Sequence, residues 1–489
     1  MASNPHVLVI SYPVQGHVNP MLQFAKRIAS KGLMVTLVAT STISKSLITE
    51  NELVTIISIS DGSEDLPKQQ WDSSFNESKE SSGNESTEPL DGSQVESNEP
   101  SKEEVYGSAE DKAKKRWARY QPAVSQGLIE LIERHKDSCN PVRVLIYDSM
   151  MPWCLDIAHQ QGLKGASFFT QSCIVSLLYH HAYAGTLQLP TNGSVISVPQ
   201  LSVPLQLYDL PSFIYDKSSN PAIVKAVIDQ FSNFKEADWL LFNTFDKLEN
   251  EVVNWMAEQW SIKTIGPAIP SMYTDKRVTG DKDYDLNLFT ANQDICKNWL
   301  DTKTKGSVVY VSFGSIANLK EEQMTELAFG LSNSNISFLW IIRASEEAKL
   351  PVNFMSEALK SRCLIVNWCS QLQVLSHEAV GCFMSHCGWN STLEALSLGV
   401  PVVALPQWTD QTTNAKFIVD VWQMGVRVEV NEKEIATREH IEACLKEVME
   451  GEKRNELKIN ALKFKEFAKV AMDEGGSSDN NISEFIASI

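Results

Sequence analysis

Residues 368–411 constrain the fold more tightly than any other part of the chain. They read WCSQLQVLSHEAVGCFMSHCGWNSTLEALSLGVPVVALPQWTDQ. An apolar run at 380–385 meets His386-Cys387-Gly388-Trp389-Asn390-Ser391-Thr392. Leu393, Leu396 and Leu398 then recur at helical spacing, and Gly399-Val400-Pro401 ends the segment. The order is strand, turn, helix, glycine stop, next strand. Asn390 or Ser391 is the expected N-cap. Backbone N–H groups at such a helix start have no partner within the helix and attract anions. A His, an Asn and a Ser at that one point suit a phosphate.

A chain of 489 residues exceeds what one core usually organises, so two domains are expected. Both halves read as alternating strands and helices. In the first, the apolar run 6–12 has the composition of a buried parallel strand. Pro13-Val14-Gln15-Gly16-His17 connects it to a helix that Asn19-Pro20 should open and Gly32 should stop. Strands are expected at 34–39, at 142–147 before Asp148, and at 166–169 before Thr170. Ligands in such sheets bind beyond the carboxyl ends of the strands. His17, Asp148 and Thr170 should therefore share one edge. The second half restarts with a strand at 308–312 before Phe313-Gly314-Ser315, and a strand at 364–367 before Trp368. Residues 265–292 are polar and hold Gly266-Pro267 and Pro270, as an interdomain linker would.

The net charge is −18, and residues 61–111 carry 15 acidic and 3 basic side chains, two thirds of the excess. That segment reads as a disordered acidic insertion at 61–110. With its charge set aside the chain is near ordinary, and a nucleic-acid partner is disfavoured. No run reaches the roughly 20 apolar residues of a membrane helix. The N-terminus has no basic region before its apolar run, and nine scattered cysteines form no CxxC pair. Reduced thiols in the cytoplasm are expected.

The usual dinucleotide, P-loop, zincin and nucleophile-elbow motifs are absent. Asp281, Asp283 and Asp285 have D-x-D spacing, but they fall in the linker and read as a solvated stretch. A lone His is often structural. At a strand end beside a carboxylate it can instead accept a proton, the carboxylate fixing its tautomer. His17 with Asp148 fits that description. Trp368 is either core or a surface for stacking a base. Glu394, one turn into the 390s helix, can accept from paired sugar hydroxyls. Asp410 and Gln411, at the next strand end, can serve a second sugar.

These residues together resemble the 44-residue signature of plant family 1 UDP-glycosyltransferases, from Trp368 to Gln411. PVQGHVNPMLQFAKRI, the strand-end YDS and VSFGS extend the likeness over nearly the whole chain. The resemblance implies the GT-B fold, two Rossmann-like domains facing each other across a cleft. It implies an acceptor-binding domain at 1–264, the linker at 265–292, a donor-binding domain at 293–470 and a tail, 471–489, packing back on the first domain. Carried over by residue, Trp368 stacks on uracil and the Cys369 backbone bonds its edge. Gln371 and Glu394 hold the ribose. Ser315, His386, Asn390 and Ser391 contact the diphosphate, the helix start and His386 neutralising it without a metal or other cofactor. Trp389, Asp410, Gln411 and Thr170 reach the sugar. His17 is the implied base and Asp148 its partner, with Val14 and Met150 beside the acceptor.

Gln411 resembles glucose-preferring members. YDSMMPWCLDIA, FFTQSC and PQWTDQTTNAKFIVDVW resemble the subgroup acting on salicylate, thiohydroximates and triterpenoids or steroids. The expected activity is inverting transfer from UDP-glucose to a hydroxyl of a small lipophilic plant metabolite, by a monomer. Glucose-ester formation on an aromatic acid and a non-catalytic nucleotide-sugar binder are the alternatives.

Overall fold

In β1 (His6–Ile10) every residue is buried, as a central parallel strand requires. The computed structural model describes residues 4–44, 53–62, 109–189, 195–216, 221–284, 292–352, 354 and 357–489. β2 (Met34–Thr40), β3 (Thr55–Ile59), β4 (Val142–Asp148), β5 (Lys164–Phe169), β6 (Trp239–Phe242) and β7 (Ile262–Thr264) join β1 in one sheet. Its order is β3-β2-β1-β4-β5-β6-β7. β8 (Val308–Ser312), β9 (Ser337–Ile341), β10 (Cys363–Val366), β11 (Val380–Ser385), β12 (Val402–Ala404) and β13 (Gly425–Arg427) form a second, ordered β10-β9-β8-β11-β12-β13. Strand pairing is parallel throughout both. The two Rossmann-like sheets expected from the sequence are both present.

Each sheet reverses its winding once, between β1 and β4 in the first and between β8 and β11 in the second. Ile10 pairs with Tyr147, and Ser312 with Ser385, so the strands on either side of each reversal end level. Crevices at such reversals are where open α/β sheets take their ligands.

Local structure departs from expectation in three places. The helix after β1 spans Gln15–Ser30, with Val14 as N-cap and Pro20 inside it. His17 thus sits in a helical first turn, not in a loop. The proline is tolerated because the carbonyl it cannot serve, that of Gly16, accepts the Asn390 side chain at 2.6 Å instead. Secondly, Asp61 belongs to the folded chain: it is buried and accepts from Ser41 Oγ and Thr42 N. A helix resumes at Ala109–His135. Most of the acidic insertion lies outside the described residues. Thirdly, Asp281 is not solvated. It is buried against Lys26, with Nζ 2.9 Å from Oδ1, and accepts from Ser271 N at 2.6 Å. Asp285 lies outside the described residues.

The C-terminal tail, expected to pack back on the first domain, carries a helix, Ser477–Ala487. Its Ile482 and Phe485 are fully buried, Phe485 lying 5.0 Å from the Trp239 ring. Full burial of a Phe stabilises by about 1.5–3 kcal/mol. Ser478 Oγ donates to Gly266 O at 2.7 Å and Lys263 pairs with Glu484. The chain's end is therefore fastened to the first sheet.

Candidate active site

At the reversal of the first sheet, β1 and β4 deliver His17 and Asp148. His17 Nδ1 donates to Asp148 Oδ2 at 2.7 Å. Asp148 is fully buried and also accepts from Tyr12 N at 3.2 Å and Met150 N at 3.0 Å. Three donors orient the carboxylate. A carboxylate cannot donate, so the proton between the pair sits on Nδ1, and Nε2 is left with a lone pair. The Tyr12 ring packs edge-on against the imidazole at 5.5 Å. Thr170 Oγ1 lies 3.2 Å from Nδ1, so this hydroxyl stands at the histidine. The three residues do share one sheet edge, as their strand-end positions lead one to expect, because β5 lies beside β4.

The second sheet builds its crevice differently. The ends of β8 and β11 hold Gly314 and His386. A Cβ at Gly314 would lie 2.9 Å from His386 Nε2, and one at Gly388 would lie 2.6 Å from it. The imidazole fills the space both glycines leave empty. Burial pulls its pKa down to about 4. The buried ring is therefore neutral near pH 7 and can act only as a hydrogen-bonding group, not as a charge. Cys387 takes a left-handed backbone, φ 65°. Its N–H donates to Ser385 Oγ at 3.0 Å and its carbonyl accepts from Asn414 Nδ2 at 3.0 Å, which hold the turn.

The helix after this turn is Trp389–Leu398, and its N-cap is Gly388, not Asn390 or Ser391. Those two side chains are occupied elsewhere. Asn390 reaches across to Gly16, and Ser391 Oγ accepts from Gln371 Nε2 at 2.9 Å. The first backbone bond of the helix is Thr392 N to Gly388 O. The N–H groups ahead of Thr392 have no partner within the helix, and the helix dipole favours an anion at this end.

Beyond the helix, Glu394 is buried, with Oε2 accepting from Gln371 Nε2 and Oε1 from the Tyr284 hydroxyl, each at 2.8 Å. Burial raises its carboxyl to about 7 against these two bonds. Half-buried Trp368 and buried Cys369 complete this end. At the other end, buried Gln411 receives Gln407 N at 2.9 Å and Trp408 N at 3.2 Å on its side-chain oxygen. Its amide nitrogen is thereby the atom left to donate. Asp410 is fixed by Asn414 Nδ2 at 2.8 Å, and burial raises its pKa. The Trp389 indole is buried, donating to Asn243 O at 2.7 Å.

One cavity of about 380 Å³ joins these parts. Val14, His17, Met150, Thr170, Ser315, Trp368, Cys369, Gln371, His386, Trp389, Asn390, Ser391, Glu394, Asp410 and Gln411 all line it. Asp148 stands behind His17. Sequence reasoning missed Tyr12, Gly314, Gly388 and Tyr284. It also missed an apolar wall of Tyr179, Phe213, Ile223 and Val227. Gly314 could have been read from its place after a buried strand. The wall comes from three separate helices, Cys173–Tyr183, Ser212–Tyr215 and Pro221–Asp229, whose meeting no local pattern announces. No Lys or Arg is among the described lining residues. Among the described residues, no group of three or more His, Cys, Asp or Glu is arranged to hold a metal.

Residues 281–467 match a family model described as UDP-glucoronosyl and UDP-glucosyl transferase. The chain is 43% identical to a mogroside I-E synthase of Siraitia grosvenorii, covering 99% of this chain and 98% of that one. It is 44% identical to UDP-glycosyltransferase 74E1 of Arabidopsis thaliana, covering 100% and 99%. The crystal structure of Os79 from O. sativa in complex with UDP superposes with a TM-score of 0.84 at 36% identity, covering 99% of both chains. With its two parallel sheets and a cleft between them, the chain belongs to the plant UDP-glycosyltransferases, enzymes that glycosylate plant metabolites from UDP-sugars.

Proposed function

We propose that the protein is an inverting glucosyltransferase moving glucose from UDP-glucose to a hydroxyl of a small lipophilic metabolite of steroid, terpenoid or phenolic type. The acceptor oxygen attacks the anomeric carbon from the face opposite the diphosphate. The bond from that carbon to the phosphate oxygen breaks, and UDP leaves with the electron pair. The acceptor proton passes to His17 Nε2, and Asp148 stabilises the imidazolium. General-base help of this kind contributes on the order of 10²–10⁴ in rate.

In this reading uracil lies on Trp368 beside Cys369, and the ribose is received by Glu394 and Gln371. The diphosphate meets the start of the Trp389–Leu398 helix, with Ser315, His386, Asn390 and Ser391. Donors of this kind would stabilise the charge that develops on the leaving group. Trp389, Asp410, Gln411 and Thr170 surround the glucose, and Val14 and Met150 adjoin the acceptor. Residues 1–264 are then the acceptor domain, 265–292 the linker, 293–470 the donor domain and 471–489 the returning tail. All nine cysteines are unpaired, which fits a reducing compartment such as the cytoplasm.

The absence of Lys and Arg from the described lining, beside an intact His17–Asp148 pair, is the observation that carries the choice of acceptor. A carboxylate placed against the apolar wall, away from the helix start that receives the diphosphate, would lose its hydration and meet no Lys or Arg among the described lining residues. That disfavours an acid acceptor and, at the sugar end, glucuronate. A non-catalytic binder has no use for the oriented dyad. Similarity to a protein named mogroside I-E synthase supports a plant metabolite as the acceptor. The test is a product screen by mass spectrometry. Steroid, terpenoid and phenolic alcohols and aromatic acids would each be offered UDP-glucose, UDP-galactose and UDP-glucuronate. Transfer is expected from UDP-glucose to alcohols; a preference for acids or for another donor would overturn the proposal.

A further inference from the structure

Glu394 already has a partner on each oxygen, and one of them comes from outside the donor signature. Tyr284 belongs to the linker. Its hydroxyl donates to Glu394 Oε1 at 2.8 Å and its ring lines the cavity. The phenol is held in place from behind. Lys26 Nζ bonds Asp281 Oδ1 at 2.9 Å and Asp283 O at 3.1 Å, and Gln23 Nε2 reaches the same carbonyl at 3.2 Å. Tyr284 N donates to Asp283 Oδ1 at 2.8 Å. The linker touches the nucleoside end again where Asn292 N donates to Trp368 O at 3.1 Å. Two separate linker contacts therefore bracket that end of the cavity.

The chemistry of the contact leaves room for a ligand. Each carboxylate oxygen has two lone pairs, and a phenol that donates its proton still accepts. We propose that Tyr284 is a donor-positioning residue: it holds Glu394 as an oriented carboxylate, and the two together receive the vicinal hydroxyls of the donor's ribose. This rests on the reading that a UDP-sugar binds with its ribose at Glu394.

The groups facing Glu394 set the direction of the pH effect. Burial and the charge of Asp283 raise its carboxyl, while Gln371 and Tyr284 oppose them. Tyr273 and Tyr310 also lie within its field, and Cys369 adjoins Tyr310. Removing the phenol proton donor removes a group that favours the ionised form. The protonated acid, whose proton must be donated, accepts ribose hydroxyls less well.

Tyr284→Phe keeps the ring and deletes only the hydroxyl. At pH 7 its KM for UDP-glucose and its Kd for UDP should rise about tenfold, with kcat within about twofold of the parent. The deficit should shrink at pH 8.5, and the preference for UDP over 2′-deoxy-UDP should narrow. In a Glu394→Gln background the same substitution should add little. UDP binding as tight as the parent's, or tighter, would mean the phenol blocks the site, and would overturn the inference. So would a loss equal at both pH values and for both nucleotides, since simple loosening would give that. A parent that binds no UDP would instead bring down the donor reading itself.

Discussion

His17 and His386 line one cavity from two sheets of the same plan, and they are held in opposite ways. Both stand where a sheet reverses its winding. His17 bonds a buried carboxylate at 2.7 Å, which leaves one nitrogen to take a proton and stabilises the charge that results. His386 sits between Gly314 and Gly388, and burial drops its pKa to about 4. One ring is oriented by a carboxylate and the other is enclosed and held neutral by burial. On the proposed reading, the same side chain in the same fold position serves as base or as anion contact according to its neighbours. The rest of each crevice follows suit. The first sheet contributes an apolar wall, and the second contributes a helix start and oriented amides.

Four substitutions or conditions would break or sharpen this contrast. His17→Ala should lower transfer to alcohols on the order of 10²–10⁴-fold while UDP binding by calorimetry stays near the parent's. Full activity toward alcohols would remove the base from the account. His386→Ala should cost less, on the order of 10²-fold in kcat, as removal of a single anion donor does elsewhere. Its pH profile should keep the parent's shape, because burial holds the deleted ring below the usual histidine range, at about 4. A shifted profile would mean the two histidines are not separable. Gln411→His should move donor preference from glucose toward galactose by several-fold; unchanged selectivity would argue against the sugar contact. Smallest is the effect of pH on the donor KM. Glu394 titrates at about 7, and its carboxylate is the form that accepts ribose hydroxyls. The donor KM should therefore rise as pH falls from 8 to 6. A flat KM would contradict the assigned contact.

The strands at both reversals were legible because parallel strands buried on both faces must be continuously apolar. β3 and β7 were not, being short edge strands with exposed or half-buried residues. The start of the first helix was misplaced because Pro20 normally marks a first turn. Here it is in the interior, its orphaned carbonyl partner taken by Asn390, a residue 374 positions away. The reading of Asp281 as solvated failed for the same reason, since its partner Lys26 is 255 positions distant. The donor side was largely readable because most of its groups lie within one strand–turn–helix segment. The acceptor wall gathers Tyr179, Phe213, Ile223 and Val227 from separate segments. Tyr284 was hidden in a stretch whose composition says only that it is polar.

The central claim is that the His17 side activates a neutral hydroxyl for in-line displacement on a glucose held by the second sheet. It is tested most directly by offering the protein UDP-glucose with a matched pair, an alcohol and the carboxylic acid of one lipophilic scaffold, and reading the product's anomeric proton by NMR. The account predicts glucose on the alcohol, with the large diaxial coupling of a β-glucoside. Transfer to the acid in preference to the alcohol, or the small coupling of an α-linkage, would contradict it.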